Sequence, residues 1–228
     1  MDVQATDTRS GENFPDERRT GERTTTVFRP VTITGPGFQS FCIVRNLSAN
    51  GMMGKVYADI PVGTSLSVQF NSNLSIKGHV AWSNYSDSHW IGVEFDEAIE
   101  VSGVLTEVGK MILGQKVNRG PRLQLKCRGA MEIGGRGDSV DNIEVHDVSQ
   151  RGLKVRTSCV LSPGDEVFIR LSGLEKRKAI VRWTEFDLAG LNFVRPLGID
   201  ELARWAIRQQ FGPVGTVQAG RDHAAETM

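Results

Sequence analysis

At 228 residues the chain has room for one large domain or two of ordinary size, each able to bury its own core. Its 27 Lys and Arg residues balance 27 Asp and Glu residues, so whole-molecule attraction to nucleic acid or to an anionic membrane is excluded and any anion chemistry falls to local basic clusters. No apolar run approaches the roughly 20 residues needed to cross a bilayer, and the polar N-terminus lacks the basic start and apolar centre of a signal peptide.

Residues 1–16 are polar and mixed in charge, and are expected to be a flexible segment. The first sharp signal is Arg18-Arg19-Thr20-Gly21-Glu22-Arg23. Gly21 disfavours a helix there, and Arg19 and Arg23 carry planar forks suited to phosphate oxygens, to the acceptor edge of a guanine, or to stacking on a base. Loop arginines are also commonly just solvated. Thr24 to Ile33 favours a strand, with Pro30 at an edge or bulge, and Gly35-Pro36-Gly37 closes it. Phe38 to Arg45 is the next strand, followed by Asn46-Leu47-Ser48-Ala49-Asn50-Gly51. Asn46 and Ser48 can hydrogen-bond back to the loop or outward to a planar base, and Gly51 permits a backbone angle or an approach that a side chain would forbid. Further strands are expected at Met52 to Tyr57, Ser65 to Phe70, Leu74 to Trp82 and Trp90 to Phe95. Val101, Val104, Leu105, Val108, Met111 and Ile112 then recur at helical spacing, with Gly114 as a stop; the stripe is expected against its own barrel or at a contact between domains.

The pattern then returns. Asp147-Val148-Ser149-Gln150-Arg151-Gly152 repeats the hexapeptide about a hundred residues on, the scale of a small domain. Val181-Arg182-Trp183 answers Val80-Ala81-Trp82, and Gly190-Leu191-Asn192-Phe193 answers Gly92-Val93-Glu94-Phe95. Strands are expected at Leu123 to Cys127, Ala130 to Ile133, Asp141 to Asp147, Leu153 to Thr157, Glu166 to Leu171, Ala179 to Trp183 and Leu188 to Phe193. A second amphipathic helix follows through Ile199, Leu202, Ala203, Ala206 and Ile207. Many short strands without room for crossover helices indicate antiparallel barrels or sandwiches, mainly β overall. The boundaries expected are 17–114 for the first domain, 115–210 for the second and 211–228 for a flexible tail.

Catalytic chemistry finds no support. Gly134-Gly135-Arg136-Gly137 lacks the lysine ending and following helix of a phosphate loop, and no nucleophile stands with a base and an orienting partner. Cys42, Cys127 and Cys159, with four scattered histidines, match neither a zinc site nor a disulfide scaffold; buried free thiols in a cytoplasmic protein are expected. Small barrels can bind single-stranded nucleic acid, but alternation places Trp82, Trp90 and Trp183 inward or at a rim, so no DNA or RNA partner is expected.

The paired arginines, Asn46-x-Ser48-x-x-Gly51, the turn near Gly63, Val80-Ala81-Trp82 and Gly92-Val93-Glu94-Phe95 together resemble the PilZ family, over roughly residues 17–113 and again 117–210. The resemblance implies two small six-stranded antiparallel barrels, each followed by a helix, and a non-catalytic receptor for the bacterial second messenger cyclic di-GMP, bound singly or as a stacked dimer, with no cofactor. It assigns ligand contacts to Arg19, Arg23, Asn46, Ser48 and Gly51, with Arg18 within reach of a phosphate. In the second copy Asp147, Ser149 and Gly152 match, whereas Arg119 and Arg122 are one residue too close, so any second site is degenerate. A protein target or a homodimer partner would receive the signal. The alternative is a ligand-independent scaffold or interaction module.

Overall fold

In the computed structural model of the chain, residues 29–71, 73–85, 89–110, 120–134 and 139–212 are described. The alternation of the first copy folds into β1 (Arg29–Gly35), β2 (Phe38–Ser48), β3 (Gly51–Lys55), β4 (Ser65–Asn71), β5 (Leu74–Asn84) and β6 (Trp90–Phe95), followed by α1 (Val101–Lys110). The second copy gives β7 (Leu123–Ile133), β8 (Ser139–Ser149), β9 (Gly152–Arg156), β10 (Glu166–Leu171), β11 (Arg177–Glu185) and β12 (Leu188–Phe193), then α2 (Ile199–Phe211). Each set closes into a barrel, in the orders β1-β2-β3-β6-β5-β4 and β10-β11-β12-β9-β8-β7, and every pairing is antiparallel. Among the described residues, closure removes the free edges that an open sheet would present. The barrels with their following helices are the expected architecture.

Three sequence expectations need amendment. The strands read at Leu123 to Cys127 and Ala130 to Ile133 are one, β7, because register shifts at Gln124/Cys127 and Gly129/Met131 absorb extra residues without ending the pairing. Of the two placements expected for Trp82 and Trp183, inward or at a rim, the inward one does not hold; they are 44% and 37% exposed. Bulges cause this: Val80 faces Val93 and Trp82 faces Gly92, so two residues of β5 oppose one of β6, and β11 repeats the irregularity between Val181 and Trp183. Of the cysteines, Cys42 is buried while Cys127 and Cys159 are only partly so, and all three are free thiols. Burial pushes the Cys42 thiol up to about 12 and that of Cys127 up to about 11, so both are protonated and unreactive at neutral pH. The expected continuation of α1 to Ile112 lies outside the described residues.

The barrels are not independent beads, because β2 is apolar on both faces. Phe38, Cys42 and Val44 fill the first barrel, whereas Phe41 points out of it and is nonetheless fully buried, as part of the second core. Ile207 of α2 makes the reciprocal insertion into the first core. Around this exchange Gln39 N–H donates to Gln210 Oε1 at 3.1 Å, Gln210 Nε2 donates to the Gln39 carbonyl at 2.8 Å, and Gln124 N–H donates to Gln39 Oε1 at 2.6 Å. The second helix thus belongs to the domain contact, a role the sequence had left open for the first.

At the rim of that contact Lys55 Nζ and Tyr57 Oη both donate to Asp200 Oδ1, at 3.0 and 2.8 Å. The Lys55 bond first, then the Tyr57 bond, holds the Asp200 carboxyl below its ordinary value of 3.8. A depressed folded pKa stabilises at pH values above the unfolded pKa, and that contribution is lost as pH falls through the folded value. The carboxylate is well solvated, so the gain is small. Asp200→Asn should lower the thermal midpoint slightly at neutral pH, and the difference from wild type should vanish on acidification through the carboxyl range; a difference independent of pH would assign the effect to something other than this ion pair.

Candidate functional site

The hexapeptide at residues 46–51 forms the end of β2, a two-residue turn and the start of β3. Ser48 Oγ donates to the Gly51 carbonyl at 3.1 Å, and Ser149 Oγ donates to the Gly152 carbonyl at 3.2 Å, so the serine closes the same turn in both barrels. A Cβ added at Gly51 would overlap the Val93 carbonyl oxygen, and one at Gly152 would overlap that of Leu191. Both glycines are therefore required by the close passage of β3 over β6 and of β9 over β12. The turn is also tied to the route into the helix: Phe95 N–H donates to the Asn50 carbonyl and Ile99 N–H to the Ala49 carbonyl, each at 2.8 Å, with Phe193 to Arg151 and Leu197 to Gln150 as the copies.

Across the outside of the first barrel the pairing sets up a row. Asn46 on β2 opposes Met53 on β3, Met53 opposes Gly92 on β6, and Gly92 opposes Trp82 on β5. A Cβ at Gly92 would run into the indole of Trp82, so the ring lies against the backbone where a side chain would otherwise stand. Asn46 is exposed, Met53 half-buried, and Arg45, on the bulge between Val44 and Asn46, sets a guanidinium-bearing residue next to the row. The row offers an amide for a base edge, a thioether and an indole for a flat ring, and it is open to solvent. Met53, Gly92 and Trp82 were not identified from the sequence as site residues; the signal available was the paired recurrence of a tryptophan and a glycine in both copies.

The second barrel builds the same row from Asp147, Lys154, Gly190 and Trp183, again with the tryptophan over the glycine. Its electrostatics differ. The guanidinium of Arg122 is hydrogen-bonded to Asp147, which is only 15% exposed. Among the described residues Arg122 Nε has no hydrogen-bond partner. The Arg122 carbonyl accepts a bond from Thr32 Oγ1 of the first barrel at 3.4 Å, fixing this arginine at the domain contact. Of the expected site residues, the structure brings together Asn46, Ser48 and Gly51 in one copy, and Arg122, Asp147, Ser149 and Gly152 in the other. Arg18, Arg19, Arg23 and Arg119 lie outside the described residues.

Among the described residues no group of three or more His, Cys, Asp and Glu side chains is placed to hold a metal ion, and no helix is long and apolar enough to cross a membrane.

The model of the PilZ domain matches residues 17–107. No curated protein matches the sequence. Solved structures to which the chain is similar include the PlzA protein of Borreliella burgdorferi in complex with c-di-GMP, at 10% identity and a TM-score of 0.38, covering 79% of this chain and 87% of that one. The inhibitor of motility MotI/DgrA of Bacillus subtilis is 11% identical, with a TM-score of 0.30 over 83% of this chain and 99% of that one. YcgR from Escherichia coli in complex with c-di-GMP is 10% identical, with a TM-score of 0.29 over 79% and 81%.

Proposed function

We propose that this protein, whose residues 17–107 match the PilZ-domain model and whose second barrel repeats the architecture of the first, is a non-catalytic receptor for cyclic di-GMP that binds through the first barrel. Asn46, exposed at the head of the outer row, carries the reading: it is the motif residue left to face a ligand when Ser48 and Gly51 are already shaping the turn. A guanine edge would hydrogen-bond Asn46 while the ring lies along Met53 and Trp82, and Arg19 and Arg23, with Arg18 beside them, would supply phosphate and guanine contacts and stack on the bases. The ligand has two phosphates and two guanines, so arginine suits it better than lysine, which neither forks nor stacks. In the second barrel the guanidinium of Arg122 occupies the carboxylate of Asp147, and the proposal assigns that barrel to interaction rather than ligand binding. The domains proposed remain 17–114 and 115–210.

Hydrogen exchange on the full chain tests this. Saturating cyclic di-GMP should protect Arg18 to Arg23 and Asn46 to Gly51 together, since a bound ligand offsets the entropy of ordering both segments. The turn's bonds to Phe95 and Ile99 predict that protection extends to the start of α1. A ligand-independent scaffold is the second reading, favoured by the identical use of Ser and Gly in both turns; exchange unchanged by nucleotide would establish it over the receptor.

A further inference from the structure

The helices that follow the two barrels pack in different ways. Val104 N–H donates to the Glu100 carbonyl at 3.2 Å and Leu202 N–H to the Gly198 carbonyl at 3.0 Å, just after the matched bonds of Ile99 and Leu197. This alignment sets Gly103 against Glu201 and position 107, a glutamate, against Trp205. On the strands, Gly63 N–H donates to the Val80 carbonyl as Gly164 does to that of Val181, which sets Ile76 against Arg177.

In the second barrel these positions are filled. Trp205 is fully buried with its indole N–H donating to the Ser172 carbonyl at 2.8 Å, and Arg177 pairs with Glu201 at 2.6 Å. In the first barrel the ion pair is replaced by an isoleucine and a glycine. Between the β4–β5 turn and α1 there is a groove of about 720 Å³, with Leu74, Ile76, Ile99 and Val104 as its apolar lining and Asn71 and Asn73 along the turn. Gly103 stands in the first turn of α1, where glycine is a weaker helix former than alanine. A Cβ there would meet only the Glu100 side chain, nearest at 3.4 Å. The barrel's own packing therefore has room for a side chain at 103. Exposed Glu100 lines the groove, and exposed Asp96 and Glu97 precede it in the chain, against one exposed base, Lys77, whose carbonyl accepts from Asp96 N–H.

We propose that this groove is a docking site for a partner protein, specifically for an amphipathic helix presenting a tryptophan flanked by basic residues. The chain's own Trp205, seated on the equivalent turn of the other barrel, shows which side chain such a seat accepts. The acidic approach selects basic flanks, and insertion of one helix face into an apolar groove is a recurrent mode of recognition. The proposal does not require the nucleotide reading, although Ile99 of the groove is hydrogen-bonded to Ala49 of the turn.

The test uses the full chain and a synthetic helical peptide with one central tryptophan and lysines on either side. Calorimetry should show saturable binding, with methyl shifts at Ile76, Ile99 and Val104. Replacing the peptide's tryptophan by alanine should weaken binding about tenfold or more, as truncating a central aromatic anchor does. Gly103→Phe, which fills the groove, should do the same, and Glu100→Lys should weaken binding in a salt-sensitive way. Gly103→Ala should raise the thermal midpoint. Absence of saturable binding, binding indifferent to both Gly103→Phe and Glu100→Lys, or a lower midpoint for Gly103→Ala would each overturn the proposal.

Discussion

Replacing Arg19 and Arg23 together by alanine is expected to abolish cyclic di-GMP binding, with a fall in affinity of at least about a hundredfold. Each arginine is proposed to make charge-assisted hydrogen bonds, worth about 1.5–3 kcal/mol apiece, and a tenfold change in affinity corresponds to about 1.4 kcal/mol. Both residues precede β1 and the proposal gives them ligand contacts alone, so the thermal midpoint without ligand should not move. Lysine at the same positions should restore only part of the affinity, because charge returns without the fork or the stacking plane. Arg122→Ala gives the contrast: its guanidinium is engaged by Asp147, so nucleotide affinity should stay at the wild-type value. Calorimetry on the three variants decides the matter. Intact binding in the double alanine variant would remove these side chains from the site, and a loss in Arg122→Ala would bring the second barrel into it.

The strands were legible in the sequence because a half-buried antiparallel strand must alternate, and β6, β10 and β12 begin and end where alternation places them. What alternation cannot reveal is a bulge. One extra residue between Val80 and Trp82 reverses the facing of everything after it, and so an indole expected inside or at a rim lies on the outer row of the candidate site. The domain contact did leave a trace. In β2 Phe41 and Ile43 share one face, and Cys42 and Val44 the other; a strand apolar on both faces is covered on both, and here the second cover is the other half of the chain. The hexapeptide was legible as a motif but not as a division of labour. Only the backbone shows that Gly51 is demanded by Val93 and that Ser48 is spent on the turn, leaving Asn46 as the group that faces outward.

Phe41→Ala should be the most damaging single truncation at the domain contact. Phe41 leaves the first barrel and is fully buried in the second core, so its removal strips apolar contacts from a domain contact across which Gln39 hydrogen-bonds Gln124 and Gln210. Truncations of a buried phenylalanine cost about 3–5 kcal/mol when the surroundings cannot collapse. Because the residue joins two cores, the loss should also uncouple them. Urea denaturation followed by far-ultraviolet circular dichroism and by tryptophan fluorescence should give coincident transitions for the wild type and separated ones for the variant. Phe38→Ala removes the same ring from inside the first barrel, so it should destabilise that barrel without removing a side chain from the contact. If Phe41→Ala costs less than about 1 kcal/mol and the two probes still coincide, Ile207 and the Asp200 ion pair are the true link. The barrels would then be coupled through α2 rather than through the outer face of β2.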